Sequence, residues 1–371
     1  MVVTPSKKRV LFLVEAFTGG SGGTERVTGT VLRHLDRSDL ECHMATVQSG
    51  AEFLKDVPKD VSIHRLGVSR MRFAVPSILR LVRDVRPDTI LCTGAYLNVL
   101  LILARPLLPR GIRLIVRQST TPSGFIERDV SHPLLWELFY RRLYRHADRI
   151  VCLSDAMQKE FRERFHVPPE ILVRIYNPVD GAAVRASAVT GSNPLSGEGP
   201  QLVTAGRLRH EKGVDLLIDA MAHVHRQIPQ AKLTVLGEGP EHAALKQQVS
   251  DLGLDSVVDF AGFQQQPWIY MAHADLVVLP SRNEGMSNVL LEALALNVRV
   301  VATDCVATMR ELQALDDRIV LAEPENPSSL AQTIVSALAQ VKPARCRGQA
   351  PDDRLRLFDP VEIASQYRML L

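Results

Sequence analysis

The chain has 371 residues, 46% of them apolar and 23% charged, the composition of a globular protein long enough for two domains with separate cores. Its net charge of +3 hides an uneven split: residues 1–180 carry 27 Lys and Arg against 19 Asp and Glu, or +8, and residues 181–371 carry 17 against 22, or −5. Five scattered cysteines (Cys42, Cys92, Cys152, Cys305, Cys346) form no C-x-x-C pair, so neither a disulfide framework nor a zinc site is indicated and a reducing cytosol fits.

In chain order, the opening "MVVTPSKKRVLFLVEAF" sets lysines before an apolar run, as a secretory signal does. Glu15 interrupts the run and no small-residue cleavage site follows, so the segment is expected as a buried first strand. Next, "FTGGSGGTERV" crowds four glycines into five positions ahead of a helix that Thr24 can cap. Such a loop lets backbone amides approach an anion. It is not a dinucleotide fingerprint, because the third glycine position after Gly20 and Gly22 holds Glu25, and no Walker lysine follows. The phosphate must belong to something else.

Further strands are expected at "CHMATVQ", "VSIHRLGV", "DTILCTG", "RLIVRQS" and "DRIVCLS", alternating with amphipathic helices. The run "YLNVLLILARPLLP" is broken by Arg105 and two prolines and is too short to span a bilayer. Two stretches are basic. "RMRFAVPSILRLVRDVRP" sets Arg70, Arg72, Arg80, Arg83 and Arg86 among Phe73, Val75, Ile78, Leu79 and Val82. "LFYRRLYRHADR" sets Arg141, Arg142, Arg145 and Arg149 beside Phe139, Tyr140 and Tyr144. With the +8 surplus they suit an anionic membrane surface, solvated surface helices being the plain alternative. No nucleic-acid partner is expected.

"GAAVRASAVTGSNPLSGEGP", residues 181–200, is expected as a linker between a first domain of residues 1–180 and a second of residues 201–350. A terminal helix near residues 359–371 is expected to pack back on the first domain. The second half repeats the rhythm with "QLVTAGR", "AKLTVLG", "SVVDFAG", "ADLVVLPS", "VRVVATD" and "DRIVLAE". Near-continuous apolar strands between amphipathic helices imply parallel sheets covered on both faces. The expected fold class is α/β: two doubly wound domains facing a central cleft, with ligands at the carboxyl ends of the strands.

Two loops of the second half carry unusual chemistry. In "RLRHEKGVDLLIDAM", Arg207 and Lys212 flank a short loop that opens a helix, where cations, dipole and donors together suit a diphosphate. Solvated surface charge is the alternative there. In "RNEGMSNVLLEALAL", Ser287 or Asn288 can cap a helix that is apolar on every side except at Glu292. A buried carboxylate needs hydrogen-bond donors, and Glu284 stands eight residues earlier in the preceding loop. A capping or arginine-paired role would satisfy either glutamate without a ligand.

Taken in order, "GGTERV", "YNPVD", "GRLRHEKG", "LGEGPE" and "EGMSNVLLEALALNVRVVATD" resemble the retaining glycosyltransferases of family 4, which have the GT-B architecture of two Rossmann-like domains. The last segment contains that family's E-x7-E pattern as Glu284 and Glu292. The resemblance implies a sugar transferred from a nucleotide sugar, UDP-linked first and GDP-linked second, to a lipid-linked saccharide in polysaccharide, O-antigen or capsule assembly. Arg207 and Lys212 would neutralise the diphosphate, and Glu292 would accept from the ribose hydroxyls. Glu284 would face the transferred sugar, and the amides of Met286, Ser287, Asn288 and Val289 would serve sugar and phosphate. Gly22 and Gly23 would cover the diphosphate, while Glu25, Arg26 and Arg117 would meet the acceptor.

With no D-x-D in the chain, no metal or other cofactor is expected, and the enzyme would work at the inner face of the plasma membrane. A catalytically silent binding partner and a nucleotide-sugar epimerase are the rival functions. Three departures stand out. The family's histidine after the fifth strand gives way to Gln118 and Ser119, with Arg117 as a substitute; Asn297 and Arg299 replace a glycine and a proline in "ALNVRVV"; and "VATMREL" keeps only Glu311 of a Gly-Pro loop.

Overall fold

The computed structural model describes residues 7–15, 23–48, 57–128, 130–189, 192–340 and 353–371. It divides into two compact units, one of Met1–Pro178 with Pro360–Leu371 and one of Val179–Asp359. The first runs β1 (Lys8–Val14), α1 (Gly23–His34), β2 (Leu40–Thr46), β3 (Ser62–Arg65), α2 (Ala74–Val85), β4 (Thr89–Thr93), α3 (Ala95–Ala104), β5 (Arg113–Arg117), α4 (Pro122–Arg128), α5 (Pro133–Arg142), β6 (Arg149–Cys152), α6 (Asp155–Glu163) and β7 (Leu172–Arg174). The second opens with α7 (Gly181–Val189) and continues β8 (Gln201–Ala205), α8 (Val214–Gln227), β9 (Lys232–Leu236), α9 (His242–Asp251), β10 (Val258–Gly262) and α10 (Pro267–His273). It ends with β11 (Leu276–Leu279), α11 (Asn288–Ala295), β12 (Arg299–Thr303), α12 (Ala307–Leu315), β13 (Ile319–Ala322) and α13 (Pro327–Ala339). The last helix, α14 (Pro360–Leu370), groups with the first unit and packs on α1.

Both sheets are parallel and share one plan. The first is ordered β3-β2-β1-β4-β5-β6-β7 and the second β10-β9-β8-β11-β12-β13. Strand order reverses between β1 and β4 in one and between β8 and β11 in the other. The strands are apolar on both faces because helices cover both: every residue of β4 and β11 is buried. In the second unit, Leu217, Ile218, Met221 and Val224 of α8 and Ile334 of α13 close over Leu202, Leu233, Val235 and Val278.

Twelve of the thirteen strands among the described residues fall where the apolar runs place them. The other is β7, three half-buried residues at the sheet edge. The expected linker is a correction: residues 181–189 form α7, which packs on α10 and α11. Its sequence is rich in alanine, the best helix former. Asp180 Oδ1 accepts the Ala183 N–H at 3.0 Å as an N-terminal cap, and Val184 and Ala188 are buried one turn apart. A second correction concerns α1, which begins at Gly23, so Thr24 sits inside its first turn and not at its cap. The glycine loop ahead of it, including Gly22, lies outside the described residues, as does Cys346.

The basic stretches change character too. Their arginines are exposed except the half-buried Arg149, but Ile78, Val82, Tyr140 and Tyr144 are core residues. Of the apolar side chains named with them, Phe73 alone is largely exposed, at 59%. Among the described residues, no helix is long and apolar enough to cross a membrane.

Candidate functional site

In an open parallel sheet, the loops beyond the strand ends diverge where strand order reverses, leaving room for a ligand. In the second unit that point lies between β8 and β11. Three loops meet there because glycines let their backbones touch. At Gly213, with φ +63°, a Cβ would collide with the Pro280 carbonyl; at Gly237, with φ +139°, it would collide with the Gly206 carbonyl. The loop after β8 is thereby pressed against the loops after β9 and β11, and the Leu208 N–H donates to the Glu238 carbonyl at 2.9 Å.

This contact brings together two residues 72 apart in sequence. Lys212, at the end of the short turn His210–Lys212, donates from Nζ to Glu284 Oε1 at 2.7 Å. Ser281 Oγ donates to the same oxygen at 2.8 Å, and Glu284 is only 9% exposed. Burial pulls the Lys212 pKa down, but the charge and hydrogen bond of Glu284 outweigh it and the net shift is upward, so the lysine stays cationic. Cys305, in the loop after β12, is pushed up to about 12 by burial and by the Glu284 charge, which keeps it a neutral thiol.

Glu292 lies on α11 and is 4% exposed, as its apolar surroundings in sequence require. Ser287, not Asn288, caps that helix: its side chain accepts the Leu290 N–H at 3.4 Å. Met286 and Ser287 are buried at the helix start, with Asn288 and Val289 half-buried behind them. Arg207 is half-buried in the loop after β8, directly after Gly206.

Sequence inspection missed the residue that holds these loops in register. Arg282 is 6% exposed; its Nη1 and Nη2 donate to the two Asp215 oxygens at 2.7 Å each, and Nη1 also donates to the His210 carbonyl at 2.9 Å. Nε donates to Glu325 at 3.0 Å, and the Arg282 N–H reaches the Glu211 carbonyl at 2.9 Å. One side chain thus ties the Lys212 turn, the start of α8 and the Glu284 loop together. Burial would raise the Asp215 pKa, but the guanidinium outweighs it and holds it below the usual carboxylate range.

Arg282→Met is expected to cost about 2–3 kcal/mol, less than a fully buried pair because Asp215 can rehydrate. The Asp215 part of this stability is present above its unfolded pKa of about 4 and is lost as pH falls through the lower folded value. The gap between the melting curves of wild type and variant should therefore narrow as pH falls from 7 to 3. A constant gap across that range would assign the loss to packing alone.

Two residues of the first unit named from the sequence are buried. Arg117 lies at the end of β5, where Nη2 donates to Asn177 Oδ1 at 2.5 Å and braces the "YNPVD" segment. Gln118 is also buried: Nε2 donates to the Tyr140 hydroxyl and Oε1 accepts from the Tyr144 hydroxyl, both at 2.9 Å. It is a core linchpin at the place where the family's histidine would be sought. Ser119, Glu25 and Arg26 are half-buried, the last two in the first turn of α1, and Gly23 is exposed.

Glu15, which breaks the apolar run, directly follows β1 at the first sheet's reversal point, accepts the Leu97 N–H of α3 at 3.2 Å, and has its pKa raised by burial.

The departures in "ALNVRVV" are structural. Asn297 follows α11 with φ +59°, the left-handed conformation that asparagine tolerates best after glycine, and Arg318 donates to its Oδ1 at 2.8 Å. Arg299 opens β12 and donates to Gln340 at 2.9 Å.

A family profile described as Glycosyltransferase Family 4 matches residues 21–182, and one described as Glycosyl transferases group 1 matches residues 190–351. The chain is 28% identical over 356 residues to the N-acetylgalactosamine-N,N'-diacetylbacillosaminyl-diphospho-undecaprenol 4-alpha-N-acetylgalactosaminyltransferase of Campylobacter jejuni, spanning 93% of this chain and 94% of that protein. It is 23% identical to the amylovoran biosynthesis glycosyltransferase AmsD of Erwinia amylovora, over 84% of this chain and 85% of that one. The structure of Anabaena HepE in complex with UDP has the same fold, with a TM-score of 0.74 at 22% identity over 98% of this chain and 99% of that one. Two profiles in succession, a relative matched along nearly its whole length and two doubly wound parallel sheets agree: the chain is a family 4 glycosyltransferase with the GT-B fold.

Proposed function

We propose that the protein is a retaining, metal-independent glycosyltransferase that moves a sugar from a nucleotide sugar to a lipid-linked saccharide during surface polysaccharide or glycan assembly. UDP is the first expectation for the nucleotide and GDP the second. The observation that carries the proposal is the Lys212–Glu284 pair at the β8/β11 reversal point. It sets a cation for a diphosphate beside a shielded carboxylate for developing positive charge. The UDP bound to HepE and the diphospho-undecaprenol named for the Campylobacter relative support the choice of donor and acceptor.

On donor binding, the diphosphate draws Lys212 away from Glu284 and is also met by Arg207. Glu292 accepts from the ribose hydroxyls, and the start of α11 offers its N–H groups to sugar and phosphate. Glu284, released from its lysine, faces the anomeric carbon. As the bond to the leaving phosphate breaks, the acceptor hydroxyl attacks from the same side and its proton passes to the departing phosphate oxygen. Configuration is thereby retained without a nucleophile from the protein. Glu25 and Arg26 serve the acceptor side, and the first unit works at an anionic membrane surface.

Arg207→Ala and Lys212→Ala should each weaken nucleoside diphosphate binding by about 1.5–3 kcal/mol and leave nucleoside binding unchanged. Calorimetry showing equal losses for both ligands would place the cations away from the phosphates. The transfer itself is tested by incubating labelled UDP- and GDP-sugars with membrane lipid extract in the presence of EDTA. Label moving into the organic phase supports the proposal. A rearranged donor would mean an epimerase, an unchanged bound donor a silent partner, and transfer only with added Mg²⁺ a metal-dependent enzyme.

A further inference from the structure

Helix α5 has two unlike faces. Trp136, Tyr140 and, just past the helix, Tyr144 follow one another at four-residue spacing and are buried. They lock into a ring cluster, with Trp136 4.8 Å from Phe125 and Tyr140 4.6 Å from Tyr144 between centroids. The outward face begins with Leu134, Leu135 and Leu138, exposed by 87%, 44% and 50%. It continues with the exposed Arg141, Arg142 and Arg145.

Three exposed leucines within five residues are unfavourable in water, and nothing in the fold demands them, since the inward face alone anchors the helix. The charge beside them is cationic. Glu137, the only acid in the helix, is shared by Arg141 and by Arg164 at 3.1 Å each. Arg142 and Arg145 have no ion-pair partner among the described residues. The helix is therefore apolar at its outward start and positively charged at its outward end. A bilayer with anionic headgroups matches that sequence of surfaces: acyl boundary for the leucines, phosphates for the guanidinium groups. The basic stretch of α2 has no comparable apolar cluster: Phe73 is exposed at its start, but Val75 and Leu79 are half-buried and Ile78, Leu81, Val82 and Val85 fill the core.

We propose that α5 is the element that enters an anionic bilayer surface, with Leu134, Leu135 and Leu138 at the acyl boundary and Arg141, Arg142 and Arg145 at the phosphate level. This rests on the acceptor being lipid-linked.

The test is co-sedimentation of the full chain with phosphatidylglycerol-containing vesicles and with pure phosphatidylcholine vesicles, at low and high salt. Wild type should bind the anionic vesicles strongly at low salt and measurably more weakly at high salt. Leu134→Gln/Leu138→Gln should bind about tenfold more weakly at any salt, and Arg142→Gln/Arg145→Gln should lose only the salt-sensitive part. An Arg80→Gln/Arg83→Gln control on α2 should stay within about twofold of wild type. All substituted residues are exposed, so thermal melts should be unchanged.

Leucine variants that bind like wild type would overturn the assignment to α5 and leave the lipid-linked acceptor standing. Wild type that binds no vesicle would overturn both. A dimer that the leucine changes convert to monomer, with vesicle binding intact, would make this face a contact between copies and overturn the proposal.

Discussion

Glu284→Gln should lower turnover on the order of 10²–10³-fold while changing UDP or GDP affinity by no more than about threefold. The carboxylate sits in a shielded pocket, bonded to Lys212 and Ser281, so its charge acts through little intervening water. That charge matters most when the anomeric carbon becomes positive, which happens only in the transition state. The amide keeps the volume and removes the charge. It also frees Lys212, which can then meet the diphosphate without first breaking an ion pair, so nucleotide affinity should hold or rise slightly. Steady-state transfer rates set beside calorimetric affinities separate the two effects. Equal losses in turnover and nucleotide affinity would make Glu284 a binding residue only.

The second large effect is expected on the scaffold. Gly237→Ala should destabilise the second unit by about 2–5 kcal/mol, combining an overpacked contact of about 1–3 kcal/mol with left-handed strain of about 1–2 kcal/mol. The obstacle is the Gly206 carbonyl, a backbone group that cannot swing aside as a side-chain tip could, because the chain on either side is pinned by the Gly206 N–H to Leu236 and Leu208 N–H to Glu238 bonds. A unit of this size loses about 2–4 °C of melting temperature per kcal/mol, so the drop should be roughly 4–20 °C. Gly253→Ala provides the control: its φ is +65° after α9, and nothing lies within 4 Å of the new methyl. It should cost only about 1–2 kcal/mol. Equal effects at both glycines would show that the loops do not press together.

The parallel sheets could be read from β-branched runs because strands buried on both faces leave little else in the sequence. β7 escaped because a three-residue edge strand has no such run. The linker was misjudged because alanine and serine serve helices and loops alike, and only Asp180 and the Val184–Ala188 spacing mark a helix there. Glu284, Glu292, Arg207 and Lys212 could be singled out from charge in apolar or glycine-bearing loops. That Lys212 binds Glu284 could not, since the pair depends on how two loops 72 residues apart fold against each other. Arg282 hid for the same reason: beside Asn283 and Glu284 it looks like one more surface charge, and only burial reveals its bonds to Asp215 and Glu325. Tyr140 and Tyr144 misled in the opposite direction, because aromatics interleaved with arginines look like an interface when the helix turns them inward.

The most direct test of a nucleotide-sugar site in the second unit is calorimetric titration of wild type and Glu292→Gln with UDP and GDP. Glu292 is buried midway along the site's helix and would take the ribose hydroxyls through charged hydrogen bonds worth about 1.5–3 kcal/mol. Wild type should bind one of the two nucleotides at one per chain, and the variant should bind it about 10–100-fold more weakly with an unchanged melting temperature in the absence of ligand. Absence of binding to either nucleotide, or equal affinity in wild type and variant, would contradict the site.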